Sequence, residues 1–273
     1  MTLLRKAGAS WLPIYAGLYL LFLYLPVLLL PVFSVNASAI PVFPLKGLTF
    51  DWYRSLAGND ALINALWNSL LVGVASALLA TVLGICAARA ITRYRFRGRR
   101  PMTAVIMAPL FLPEIIIAIS LLMVAMQLGL GLSLILVIFG HVLICLPYSA
   151  TVLISGFEGF DPSFEEASAD LGETAFGTLT RVTLPILMPA IISSLLVSFT
   201  ISLDEFIIAF FLSGSEPTLP IYIWGQLRFP AKLPGVLALG TLMLLASLLL
   251  LTFAEMLRRR AAKRTQLDGG FHA

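Results

Sequence analysis

Cysteine and histidine are scarce, two of each in 273 residues. Cys86 and Cys145 both fall inside apolar stretches, which excludes a disulfide framework and a zinc knuckle. His141 has no second histidine or carboxylate beside it in sequence, so helix packing or a hydrogen bond is its expected role. His272 lies in a polar tail. Charge is equally thin: Asp, Glu, Lys and Arg make up 12% of the chain, about half the share of a soluble domain. With 59% hydrophobic residues and a mean hydropathy of +0.98, disorder is excluded and a soluble globule is disfavoured. No G-x-x-x-x-G-K-[ST] phosphate loop occurs, so the chain cannot hydrolyse ATP by itself.

What is present is six apolar blocks, at roughly 12–35, 66–88, 102–126, 131–155, 186–212 and 234–256. A bilayer span takes ~20 such residues. Hydrocarbon forces each segment to satisfy its own backbone hydrogen bonds, so six helices are predicted. A membrane β-barrel would show ~10-residue alternating segments instead. Basic residues set the orientation. Arg5 and Lys6, six arginines between 89 and 100, Arg181 and a tail with Arg258, Arg259, Arg260, Lys263 and Arg264 put fourteen on one side. Lys46, Arg54, Arg228 and Lys232 put four on the other. Both termini are therefore expected in the cytoplasm, and the net charge of +4 reads as a topology signal rather than as affinity for nucleic acid. The first block is read as a retained span. The competing reading is a signal peptide cleaved after Ala37-Ser38-Ala39, although the apolar run exceeds the 7–15 residues usual for one.

The loop 156–185 should then be cytoplasmic, yet it holds six acids against Arg181 alone. Asp161 is placed to cap a helix, Pro162 suits its first turn and Glu165 follows closely. Ala167, Leu171 and Phe176 offer apolar contacts, while Gly172 permits close approach of another backbone. Two readings compete, a solvated surface helix and a partner-docking helix.

Glu166-Ala167-Ser168, three residues, Gly172, nine residues and Val182-Thr183-Leu184-Pro185 resemble the EAA loop of ABC importer permeases. Ser168 stands where that pattern has Ala, and Val182 where it has Ile. The resemblance runs over roughly 64–255 and is nearest to spermidine/putrescine permeases. Asn68-Ser69-Leu70, Tyr94-Arg95-Phe96-Arg97-Gly98, Leu112-Pro113-Glu114 with Ala118-Ile119-Ser120-Leu121-Leu122, and above all Ser198-Phe199-Thr200-Ile201-Ser202-Leu203-Asp204-Glu205-Phe206 carry it. Residues 228–235 fit that subgroup less closely.

The resemblance implies an all-α membrane protein with six transmembrane helices, the type I ABC importer permease fold, in the bacterial inner membrane. Residues 1–63 would hold the first helix and an outer segment, 64–255 the transport domain and 256–273 a basic cytoplasmic tail. Glu166, Ala167, Ser168, Leu171, Gly172, Phe176, Leu184 and Pro185 would form the coupling helix seated on an ATPase dimer. No cofactor is implied in this chain, since the partner ATPase binds ATP. A second, homologous permease chain and an extracytoplasmic binding protein complete the implied assembly.

Glu114, Asp204 and Glu205 are the acids well inside the predicted spans. A charge at a helix centre costs about 2.5–3.5 kcal/mol on insertion scales, so such residues face a cavity or a partner. If its span is one helix, Glu114 lies about 18 Å from the start, near the midplane, with Pro113 kinking the chain beside it. Asp204 and Glu205 would lie about 13 Å inside the outer end. Ser194, Ser198, Ile201 and Glu205 share one helical face, with Ser193, Thr200 and Asp204 beside it. For the serines, interhelical packing and a translocation path fit equally well. The acids, with Ser198 and the π face of Phe206, suit passage of a flexible organic cation. Tyr222 and Trp224 are either pore-mouth contacts or interfacial anchors. Other small solutes (an aminophosphonate, an amino-acid derivative, a metal ion) are the alternative cargo. A proton-coupled cation transporter leaves the acidic helix without a task, and an intramembrane enzyme lacks convergent catalytic groups.

Overall fold

The computed structural model describes residues 2–38, 40 and 42–268. Ala39 and His272 lie outside them, as do the side chains of Arg5, Lys6, Arg258, Arg259, Arg260, Lys263 and Arg264. In chain order the helices are α1 (Thr2–Ser34), α2 (Asp51–Ala57), α3 (Asp60–Arg93), α4 (Arg99–Met107), α5 (Glu114–Gln127), α6 (Leu134–Glu158), α7 (Ser163–Asp170), α8 (Ala175–Thr178), α9 (Leu184–Ile186), α10 (Met188–Asp204), α11 (Ile207–Leu212), α12 (Leu219–Leu227) and α13 (Leu233–Asp268). Four stretches are long and apolar enough to cross a bilayer unbroken: Trp11–Ser34, Asp60–Arg93, Leu134–Glu158 and Pro230–Leu249. Two bent pairs, counted as one crossing each, bring the number to six.

The chain divides into two units. One comprises 1–59 and 223–259. In it, buried Asn36 organises the segment after α1. Its Oδ1 accepts from the N–H groups of Ser38 (3.3 Å) and Lys46 (3.1 Å), and its carbonyl from the Trp52 indole (2.8 Å). These bonds hold α2 against the turn, so the segment is a built structure rather than a free linker.

The second unit contains 60–222 and is centred on α3, α6 and α10. Lipid is as apolar as leucine, so packing inside a membrane depends on close approach and on interhelical hydrogen bonds. The buried face of α3 accordingly carries Ser69, Val72, Gly73, Ser76, Ala77, Ala80, Thr81, Gly84 and Ala88, small residues returning at helical spacing. A Cβ at Gly84 would strike the Ser149 hydroxyl on α6, and one at Gly156 would meet the Ala190 side chain at 2.6 Å. Polar side chains bridge the same seam. Ser194 shares hydrogen bonds with Thr81 (3.1 Å) and Ser149 (2.8 Å), and Ser149 donates to the Ala80 carbonyl (3.0 Å). His141 Nδ1 and Ser202 Oγ lie 2.7 Å apart. Such bonds average only about 0.6 kcal/mol each in a bilayer, so they set register more than they hold the bundle together.

Two blocks depart from the continuous helices expected of them. In the third, Arg99–Leu110 and Glu114–Gln127 meet at 104°. Pro113 has an extended backbone (ψ 129°) and no N–H, and it also pushes Leu112 away from the helical region. Glu114 is consequently the first residue of α5, so the distance of about 18 Å along one helix does not apply. In the fifth, α10 ends at Asp204, Glu205 is extended (ψ 113°) and α11 starts at Ile207. The shared helical face predicted through Glu205 therefore ends before it.

Replacing Gly84 by Ala should destabilise the purified protein by about 1–3 kcal/mol, since the methyl group overpacks the α3–α6 contact. Gly17→Ala, where nothing lies within 4 Å, is the control. Equal melting temperatures for the two variants would refute the close-packing account.

Candidate functional site

The two breaks adjoin, because α11 packs on α5. Ile117, Ala118, Val137, Ile208, Ala209 and Leu212 form the buried cluster beneath them. Glu205 is 8% exposed, and its Oε1 accepts the Ile208 N–H at 2.9 Å, capping α11 where the backbone has left α10. The carboxylates of Glu205 and Glu114 are within electrostatic reach of each other, and Glu114 is exposed. Broken membrane helices are tolerated where protein or a cavity takes over the freed backbone groups, and this is where transporters bind their solutes.

The other predicted path residues divide. Asp204 is exposed at the end of α10. Ser198 is fully buried in the helix packing, where its own carbonyl accepts from Cys145 Sγ at 3.4 Å. Phe206 is half-buried and tilts against Phe210 at 5.4 Å between centroids. Tyr222 and Trp224 both sit on α12. The Trp224 ring already carries the Arg228 guanidinium 3.9 Å above it, so that face is taken by a cation of the chain itself. Asn68 and Ser69 serve the other end of this unit. Asn68 Nδ2 donates to the Pro217 carbonyl (3.0 Å) and Ser69 Oγ accepts the Leu219 N–H (2.8 Å), pinning the α11–α12 connection to α3. Among the described residues no group of three or more His, Cys, Asp and Glu is placed to hold a metal.

The acidic loop forms α7, as its capping residues predict. Asp161 accepts the Ser163 N–H at 3.0 Å, and this bond holds its carboxyl below the usual carboxylate range. At the far end the Gly172 N–H bonds to the Ala169 carbonyl (2.9 Å) and the Glu173 N–H to that of Ser168 (3.1 Å). That pair of bonds is a Schellman cap, and the φ of +86° at Gly172 is the left-handed conformation it demands. The first reason for glycine here is thus backbone geometry. Nothing lies within 4 Å of the position a side chain would take, so the space for an approaching backbone is open.

The helix has two distinct sides. Inward, Glu165 Oε1 accepts from Thr183 Oγ1 (2.7 Å), and Ser168 shares a hydrogen bond with Thr178 (3.0 Å). Outward, Glu166 and Ala167 are exposed, followed by Leu171 at 90% and Phe176 at 75%. Leu184 is half-buried and Pro185 exposed in α9, which meets α10 across a 73° bend. Two large apolar side chains, Leu171 and Phe176, are thus exposed on the same stretch as Glu166.

Sequence reasoning missed what anchors α7. Arg93, counted there only as an orienting charge, reaches from the end of α3 to Glu165, with Nε 3.1 Å from Oε2. That N–H is not aligned for a hydrogen bond, so the contact is an ion pair. Its Nη2 donates to the Phe160 carbonyl at 3.1 Å, and the guanidinium lies 5.2 Å from the Phe160 ring and 5.8 Å from that of Phe157. Arg93, Glu165 and Thr183 thus tie α3, α7 and the π turn Leu179–Thr183 together. Nothing in the spacing of 93, 165 and 183 signals that triangle.

Residues 80–263 match the family described as binding-protein-dependent transport system inner membrane component. The chain is 35% identical over 243 residues to the spermidine/putrescine transport system permease protein PotC of Escherichia coli K12, covering 89% of this chain and 91% of that one. It is 36% identical over 276 residues to the putrescine transport system permease protein PotI of the same organism, covering 98% of each. Among solved structures it resembles a chain of a bacterial alginate ABC transporter in complex with its alginate pentasaccharide-bound periplasmic protein. There the TM-score is 0.73 at 21% identity, over 96% of this chain and 99% of that one.

Breaking the ion pair with Arg93→Gln should loosen α7 by on the order of 2–3 kcal/mol, somewhat below the cost at a fully buried pair. Amide hydrogen exchange across 163–183 should rise, and the double reversal Arg93→Glu with Glu165→Arg should restore part of the protection. Unchanged exchange in the single variant would remove the anchor.

Proposed function

The chain belongs to the family of binding-protein-dependent transport system inner membrane components, and from that premise we propose that it conducts polyamines of the spermidine and putrescine type. It is a permease subunit of an ABC importer, a multi-pass inner-membrane protein with the type I importer fold. The observation that carries the substrate reading is the placement of Glu114 and Glu205 at adjoining helix breaks. Separated carboxylates attract separated ammonium groups, and each modest site releases what it binds. Phe206 and Phe210 add π faces beside them. Identity of 35–36% with two polyamine permeases supports the same cargo.

The remaining parts of the machine follow from this reading. Both termini lie in the cytoplasm, and so does α7. The exposed surface from Glu166 on α7 to Phe176 on α8 seats on one subunit of an ATPase dimer that binds the ATP. A second, homologous permease chain supplies the other half of the pore, and an extracytoplasmic binding protein delivers the polyamine. Closure of the ATPase moves α7, and the ion pair of Arg93 with Glu165 passes that movement to α3.

Glu205→Gln and Glu114→Gln, tested in the reconstituted importer, should each lower ATP-driven spermidine uptake by about tenfold, equivalent to 1.4 kcal/mol. Glutamine at 205 keeps an acceptor for the Ile208 N–H, so the α11 cap survives and the charge alone is tested. Wild-type uptake kinetics would make both acids structural. Gly172→Asn addresses docking. Asparagine tolerates the left-handed conformation and preserves the cap, while its side chain fills the open space. It should release the ATPase in a pull-down, and retained assembly with normal uptake would mean that Gly172 serves only the cap.

A further inference from the structure

The arginines between α3 and α4 are too many for the structural work found there. Arg93 is used by the ion pair to Glu165. Arg95, Arg97, Arg99 and Arg100 are exposed, and no ion pair within the described residues involves them. Together with Phe96 they line one cleft of about 440 Å³. Four guanidinium groups within six residues repel one another. Two of them, Arg99 and Arg100, stand in the first turn of α4, the positive end of its dipole, with no acid to offset them. This concentration of charge calls for an anion from outside the chain.

The neighbouring surface narrows the choice of anion. A second cleft of about 450 Å³ shares Arg99 and Arg100 and is otherwise lined by Ile91, Thr103, Ala104 and Met107. The cationic and the largely apolar cleft are thus adjacent, just beyond the end of the membrane helix α3. On the same stretch Val105 is 73% and Phe111 82% exposed, as residues facing acyl chains are. A soluble phosphate or an acidic protein segment would answer the charge and leave the apolar half empty. A phospholipid answers both, because arginine grips phosphate oxygens in a bidentate fork and the acyl chain covers apolar surface.

We propose that Arg95, Arg97, Arg99 and Arg100 hold the headgroup of an anionic phospholipid of the inner leaflet, with its acyl chain along Ile91, Ala104 and Met107. The site fits phosphatidylglycerol-type lipids, whose phosphate charge is not cancelled by an amine on the same headgroup. The cytoplasmic placement rests on the orientation proposed above. Lipid selectivity can be read in detergent, where neither leaflet nor transport enters, so the two readings fail separately.

The test is native mass spectrometry of the assembled importer titrated with phosphatidylglycerol or phosphatidylcholine of matched chains. Phosphatidylglycerol should be retained with on the order of tenfold preference. The variant Arg97→Gln with Arg99→Gln should bring the two lipids close to parity, and glycerol phosphate should not displace bound lipid at equal concentration. Parity in the wild type overturns the proposal, as does undiminished preference in the variant. Efficient displacement by glycerol phosphate would show a site for free anions. Loss of the ATPase with lipid preference intact would show a protein-facing surface. If the variant does not assemble, comparing the wild-type preference at low and high salt decides the matter, since a preference indifferent to salt is not held by these charges.

Discussion

Hydrocarbon offers no hydrogen-bond partner, and that constraint governs both where this chain is regular and where it is not. Four membrane crossings run without a break, each helix closing its own backbone bonds. The two bent ones turn at 111–113 and at 187, the chain leaves the helix once more at 205–206, and there the protein itself takes over a freed backbone group. Glu205 does so directly, bonding the Ile208 N–H as the chain re-enters a helix. One carboxylate therefore ends one helix, starts the next and carries charge into the apolar unit. Satisfying the backbone and placing an acid at the helix break thus fall to the same side chain.

A second demand is to hold an exposed helix on a bundle that has little polar surface to offer. The guanidinium of Arg93 meets it by combining an ion pair, a carbonyl bond and two aromatic faces in one place. Glu165 then hands the connection on to Thr183, beyond which the chain passes through α9 into α10 and so to the helix break at Glu205. From Thr183 the covalent path to the acid site runs through α9 and α10, with a 73° bend at Leu187 between them. Facing the other way, Leu171 and Phe176 are largely exposed.

Much of this architecture was legible in the residues. Block lengths located the four unbroken crossings and overlapped the two bent ones, because a bilayer requires ~20 apolar residues whatever the fold. The spacing from Glu166 through Gly172 to Pro185 marked α7 and its continuation, and Asp161 with Pro162 marked where it begins. Pro113 signalled a disturbance in the third block, though a bend of 104° exceeds the kink it led one to expect. The break after Asp204 had no proline or glycine to announce it. Its signal was two adjacent acids in an apolar run, which is chemistry that a helix of ordinary propensity would also tolerate. The serine face of α10 was visible as a period, but whether it met a pore or another helix depended on what stood opposite. Thr81 and Ser149 stand opposite, contributed by α3 and α6.

Composition and periodicity by themselves determined that this is a helical membrane protein with up to six crossings, and marked one acidic loop among otherwise basic flanks. Those properties follow from local sums, the apolar length of a segment and the charge of its flanks, and they do not depend on the arrangement of distant segments. Only the tertiary structure decided which polar residues are structural and which remain available. Ser198 went into the packing, Trp224 took Arg228 onto its ring, Arg93 became an anchor, and four neighbouring arginines have no ion-pair partner among the described residues. The reason is that a side chain's role in a bilayer is set by its nearest polar partner, and in this chain those partners are up to 150 positions away.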